Sequence, residues 1–205
     1  WSYADLRALD PAGTPSATPS LRSGLRLRAG PDPRFDLTAV YTRVAGFDLQ
    51  IRLDLLDSLN PYDYDLYIAL DTRPGGASEL LLSPSPLAAA SLPYAVQGAL
   101  NPTQTDILWD ILLVLPAEGP PAAFDIRTFS PSTTILPRIL RDPWLDTVVV
   151  SLNRAYLPAG GEHLALQAFV TAPGDNRPAD SLGPVRTDGS PPLTRAPLLL
   201  AFRDA

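Results

Sequence analysis

Phe47-Asp-Leu-Gln-Ile-Arg-Leu-Asp-Leu55 decides how this chain is read. Leu49, Ile51, Leu53 and Leu55 alternate with Gln50, Arg52 and Asp54, the period of two that marks a strand with one face packed and the other in water. Asp36 to Val44 precedes it across an Ala45-Gly46 turn. Leu66 to Asp71 follows a polar, aromatic loop, Asn60 to Asp65, and stops at Thr72-Arg-Pro-Gly-Gly76. Three consecutive strands joined by legible turns predict an antiparallel, all-β organisation.

Working outward, the same signals recur. Ile107 to Leu115 is apolar apart from Asp110, which predicts one central strand covered on both sides. Ala122 to Phe129, Ile135 to Leu140, Asp146 to Leu152 and His163 to Thr171 read as further strands, and Ala196 to Phe202 as the closing one. Asn153 to Leu157 reads as a single helical turn capped by Asn153. Arg73 to Asp106 holds one short strand near Glu79 to Leu82 and an excursion over one end of the fold, and Ala172 to Pro192 reads as irregular. The prediction is a two-sheet, mainly antiparallel β-sandwich, jelly-roll or immunoglobulin-like, with long loops. Residues 1–34 form a loose N-terminal segment with a candidate edge strand at Leu21 to Arg28, and residues 35–205 form a single sandwich domain. Leu49, Ile51, Leu53, Leu66, Ile68, Leu70, Val148, Val150, Leu164 and Leu166 are expected to face inward.

Composition fits this picture. Among 205 residues, 24 Pro and 13 Gly supply the turns, and an apolar fraction of 45% supplies a core. All 16 cations are Arg, and they are scattered over a chain of net charge -6. Nucleic acid and anionic membranes both require a basic face, so neither is an expected partner. Cys is absent, which removes disulfides, thiolate chemistry and Cys-based zinc sites. No apolar run reaches the roughly 18 residues that span a bilayer as a helix.

Phe47 to Leu55, Tyr64 to Gly76, Asp142-Pro-Trp-Leu-Asp-Thr-Val-Val-Val-Ser-Leu152 and Ala179-Asp-Ser-Leu-Gly-Pro-Val-Arg-Thr-Asp188 occur in one order. This series resembles the glucodextranase C-terminal-like domains, which are similar to family 9 carbohydrate-binding modules. The resemblance covers roughly Asp36 to Phe202. It implies a sandwich appended to an extracellular or cell-surface bacterial carbohydrate-active protein, with polysaccharide or an adjoining catalytic domain as partner. The family's glycine- and aspartate-rich opening is only faintly present, at Asp10 to Gly13.

Sugars are held by aromatic faces laid on their apolar C–H patches, with amides and carboxylates taking the hydroxyls. That chemistry singles out Trp144, in a turn leading to a strand, and Tyr62, Tyr64 and Tyr94, in or beside loops. Trp109 alternates with Ile107 and Ile111 and is expected in the core. Asp175, Asn176, Asp180 and Asp188 offer hard oxygen ligands of the kind calcium takes, at a spacing unlike an EF-hand; related modules carry structural calcium. Catalysis has less to work with. His163 is the single histidine, and no nucleophile-elbow, P-loop, dinucleotide or zincin string occurs. A glycosidase would need paired carboxylates. Glu79, Glu118 and Glu162 fall in turns or loops, which leaves Asp71 and Asp110 as the strand-borne acids beside grooves. The expected function is a non-catalytic carbohydrate-binding accessory module. The alternatives are a structural or adhesion spacer and, last, a glycoside hydrolase.

Overall fold

The β2–β3 hairpin, Leu37–Ala45 and Asp48–Leu55, forms where the alternation requires it, turning at Gly46 in the left-handed region (φ 60). A computed structural model describes residues 1–10, 33–57, 60, 63–80, 103–127, 130–157, 163–173, 178–188 and 193–194. β3 pairs on its other side with β11 (Thr147–Asn153), and β11 with β10 (Arg138–Asp142). β2 pairs with β1 (Leu6–Leu9), which pairs in parallel with β14 (Leu193–Thr194). The first sheet therefore runs β10-β11-β3-β2-β1-β14.

The second sheet is built on β4 (Asp65–Asp71), which lies between β12 (Ala165–Thr171) and β7 (Ile111–Leu115). β13 (Asp180–Arg186) extends it on one side; β8 (Ala122–Asp125) and β9 (Ser130–Pro131) extend it on the other. All its pairings are antiparallel. The two sheets pack face to face as a β-sandwich. Every residue expected to face inward lies in this core, with Ile51, Leu53, Leu66, Ile68, Val148 and Val150 fully buried. Each such side chain contributes roughly 1.5–3 kcal/mol of burial. A slip of one residue in any of these strands would turn its whole set outward.

The second sheet is covered on its outer face too. β5 (Ala77–Leu80) and β6 (Thr103–Trp109) form a separate two-stranded layer. Its Ala77, Leu80, Ile107 and Trp109 close a second core over Tyr67, Leu112, Val114, Phe124 and Phe169. This explains why β4, β7 and β12 are apolar on both faces. Within this layer, Gly76 lets the chain entering β5 lie close against the end of β6: a Cβ there would lie 2.5 Å from the carbonyl oxygens of Leu108 and Trp109.

Some expectations change. Ile107 to Leu115 is two strands in different layers rather than one, divided at Asp110. Leu6–Leu9 belongs to the first sheet, although residues 1–34 read as loose. Asp180–Arg186 is a strand where irregular chain was expected. Leu21 to Arg28 and Ala196 to Phe202 lie outside the described residues. Helix among the described residues is limited to three short 3-10 turns. The last of these, Arg154–Tyr156, is capped as predicted, with Asn153 Oδ1 accepting from Ala155 N at 3.0 Å.

Candidate functional site

Trp144 stands at the tip of the β10–β11 hairpin and is 92% exposed. The tip is shaped by its own residues. Asp142 Oδ1 accepts from the backbone N–H of Trp144 (3.0 Å) and Leu145 (3.3 Å), an aspartate turn that fixes the chain just before the ring. Asp146 turns it back in the left-handed region, φ 51, where aspartate is among the better tolerated residues. Its carbonyl accepts from Leu55 N at 2.9 Å, which anchors the tip to the end of β3.

A second anchor crosses the sandwich. Arg141 points inward from β10 and donates to three carbonyls of the opposite sheet's strand ends: Tyr64 O (3.2 Å), Leu115 O and Pro116 O (both 2.9 Å). Its guanidinium lies over the Tyr64 ring, 4.8 Å from the centroid. Nearby, Asp65 Oδ1 accepts from Ala117 N at 2.6 Å. Burial raises the Asp65 pKa, against the pull of that hydrogen bond and of Arg141. Trp144 is thus an open ring held on a rigid support.

The other predicted aromatics fare differently. Tyr64 is 1% exposed; its ring closes the end of the core beneath Arg141 and is not presented to a sugar. Tyr62 and Tyr94 lie outside the described residues, as do Asp175 and Asn176. Asp180 is buried at the start of β13, where Oδ2 accepts from Leu37 N at 2.8 Å and joins the two sheets. Asp188 is exposed beyond the far end of the same strand. At about 3.3 Å per residue, the two carboxylates are too far apart to share one ion. No group of three or more potential metal ligands of the His, Cys, Asp or Glu type converges among the described residues.

Asp71 and Asp110 are brought together, but into structure. Asp110 sits where the chain passes from β6 to β7 and is fully engaged. Oδ1 accepts from Thr72 Oγ1 (2.7 Å), and Oδ2 accepts from Thr72 N (3.2 Å) and pairs with Arg73 Nε (3.4 Å). Its backbone N–H donates to Leu70 O and its carbonyl accepts from Ile126 N. Burial raises its pKa against these partners, and burial together with the Asp110 charge raises that of Asp71. Asp125, held by Arg127 and Arg73, is depressed well below the usual carboxylate range.

One aromatic arrangement escaped the sequence reading. On the open outer face of the first sheet the Arg43 guanidinium lies 4.1 Å from the centroid of Trp1, Arg52 lies 5.1 Å from that of Tyr41, and the two rings meet edge to face at 6.2 Å. Gln50 accepts from Arg43, and Asp54 takes Arg52 through both oxygens. The outward alternation of Tyr41 and Arg43 was the available signal, but nothing in the sequence paired Trp1 with them. These rings are already covered by cations, whereas Trp144 is open. Phe47 is also highly exposed, in the β2–β3 turn at the opposite end of the first sheet. No family model matches this chain, and no curated protein matches it either.

Proposed function

We propose that the chain is a non-catalytic accessory module of an extracellular or cell-surface carbohydrate-active protein, and that it binds glycan through Trp144. The observation that carries this is a tryptophan almost wholly exposed on a hairpin tip tied to both sheets. An indole face laid on a sugar's C–H patch gains apolar contact, and a preorganised ring loses little freedom on binding. The tip also carries Asp142, a carboxylate suited to sugar hydroxyls. The resemblance to glucodextranase C-terminal-like domains favours the same reading. The rival is a structural or adhesion spacer, favoured by the leucines exposed beside the tryptophan.

Calorimetric titration against soluble α- and β-glucans decides between them. At least one glucan is expected to bind. Trp144→Ala is expected to weaken it tenfold or more, about 1.4 kcal/mol, with thermal stability unchanged, while Phe47→Ala binds as the wild type does. A silent panel, or equal binding by Trp144→Ala, would reject the glycan reading.

A further inference from the structure

Among the described residues β10 is the edge strand of the first sheet, and its outward-facing residues are complementary about Leu140 in the stretch Leu136-Pro-Arg-Ile-Leu-Arg-Asp-Pro-Trp144. Pro137 and Pro143 bracket the five-residue strand. Leu136 and Leu140, both 66% exposed, and Trp144 all stand in the open. The Arg138 side chain is 70% exposed. In an antiparallel pairing of β10 with itself, centred on Leu140, Arg138 of each copy falls opposite Asp142 of the other, and Leu140 falls opposite Leu140. Beyond the prolines, Leu136 meets Trp144. On the exposed face of the strand, opposite charges meet and apolar meets apolar.

We propose that two copies of the chain associate through this edge about a two-fold axis, joining their first sheets into one continuous sheet. A two-fold contact needs a patch complementary to itself, and here a single register satisfies every exposed side chain of the strand. Asp142 Oδ1 is spent within its turn, which leaves Oδ2 for the facing Arg138. That arginine bonds Asp48 through Nη2 and keeps the rest of its fork for the partner. Short edges with prolines and arginines also serve to discourage pairing. Protection does not account for Leu136, Leu140 and Leu145 standing exposed beside Trp144, a concentration of apolar surface that marks an interaction site. The prolines limit the shared ladder to Arg138–Asp142, so the contact is small and the dimer is concentration-dependent. The dimer would cover Trp144 and Asp142, so glycan and partner compete for the tip. Mass reads the dimer without glycan and calorimetry on dilute monomer reads glycan, so failure of one reading is distinguishable from failure of the other.

Sedimentation of the chain across micromolar to millimolar concentrations is expected to show monomer giving way to a species of twice the mass. Leu140→Asp sets like charges face to face across the axis and raises the dissociation constant at least tenfold, with an unchanged circular dichroism spectrum. The absence of cysteine allows a second test that does not disturb charge. Leu140→Cys places two thiols directly across the axis, at a separation compatible with a disulfide. Mild oxidation should cross-link it at least tenfold faster than Phe47→Cys at the far end of the sheet. A chain that stays monomeric at all concentrations overturns the proposal and leaves the edge to a different protein. Equal cross-linking of the two cysteine variants overturns it as well.

Discussion

Arg141 shows how much one side chain on an edge strand can hold. Its three carbonyl acceptors and the Tyr64 ring belong to the other sheet, so the contact fastens the hairpin that carries Trp144 to the end of the sandwich. Hydrogen bonds from a charged donor contribute roughly 1.5–3 kcal/mol when the acceptors are otherwise shielded. Arg141→Ala should therefore cost about 2–3 kcal/mol in urea unfolding, and Arg141→Lys should recover only part, because an ammonium cannot reproduce the planar fork. A loss below about 0.5 kcal/mol would mean that water replaces the guanidinium at no cost. Such pairings were not legible in the sequence: Tyr64 reads as a loop aromatic beside Asp63 and Asp65, and only the fold puts Arg141 over it. The place of Trp144, in a turn leading to a strand, was legible; its exposure was not, since a tryptophan between Pro143 and Leu145 could equally close one end of the core.

Among the elements, legibility followed periodicity. β2, β3, β4 and β11 alternate or run apolar for their full length, and their observed bounds fall within one residue or so of those expected. β13 was missed because Gly183 and Pro184 interrupt its pattern, and β1 because four residues are too few to establish a period. The division of Ile107 to Leu115 was signalled by Asp110, the one charge in the run, whose meaning depends on Thr72 and Arg73 far away in sequence. That carboxylate clasps both connections of the β5–β6 overlay. Asp110→Ala should leave Thr72 N–H without its acceptor, cost roughly 1–3 kcal/mol, and release the overlay first. Hydrogen exchange would then accelerate in Ala77–Leu80 and Thr103–Trp109 while β2, β3 and β4 stay protected. Uniform acceleration across both sheets would show that overlay and sandwich unfold as one unit.

Across the whole molecule, burial of carboxylates sets an unusual response to acid. Asp54, Asp65, Asp71 and Asp110 all have pKa values raised chiefly by burial, so in the window above the usual carboxylate value the folded state binds more protons than the unfolded one. Stability from these groups therefore falls as pH rises through that window and is regained on acidification. Asp65 and Asp110 are the most buried and weigh most; Asp54 and Asp71 are partly exposed, and solvent screens their share. Asp125 acts in the opposite sense: its depressed pKa contributes stability above the unfolded value of 3.8, lost as pH falls below it. The exposed Arg127 side of that contact is screened, which leaves the Arg73 pairing at 2.8 Å as its effective part. Partial neutralisation of the net charge of -6 also relieves self-repulsion on acidification. The melting temperature is thus expected to hold or rise from pH 7.5 to about 4.5 and to drop below about 3.5, with each kcal/mol appearing as ~2–4 °C. Asp110→Asn removes one of the two dominant groups and should flatten the rise, whatever it costs at neutral pH. A melting temperature that declines steadily from pH 7.5 to 4.5 would mean that depressed carboxylates, not buried ones, govern this fold in acid.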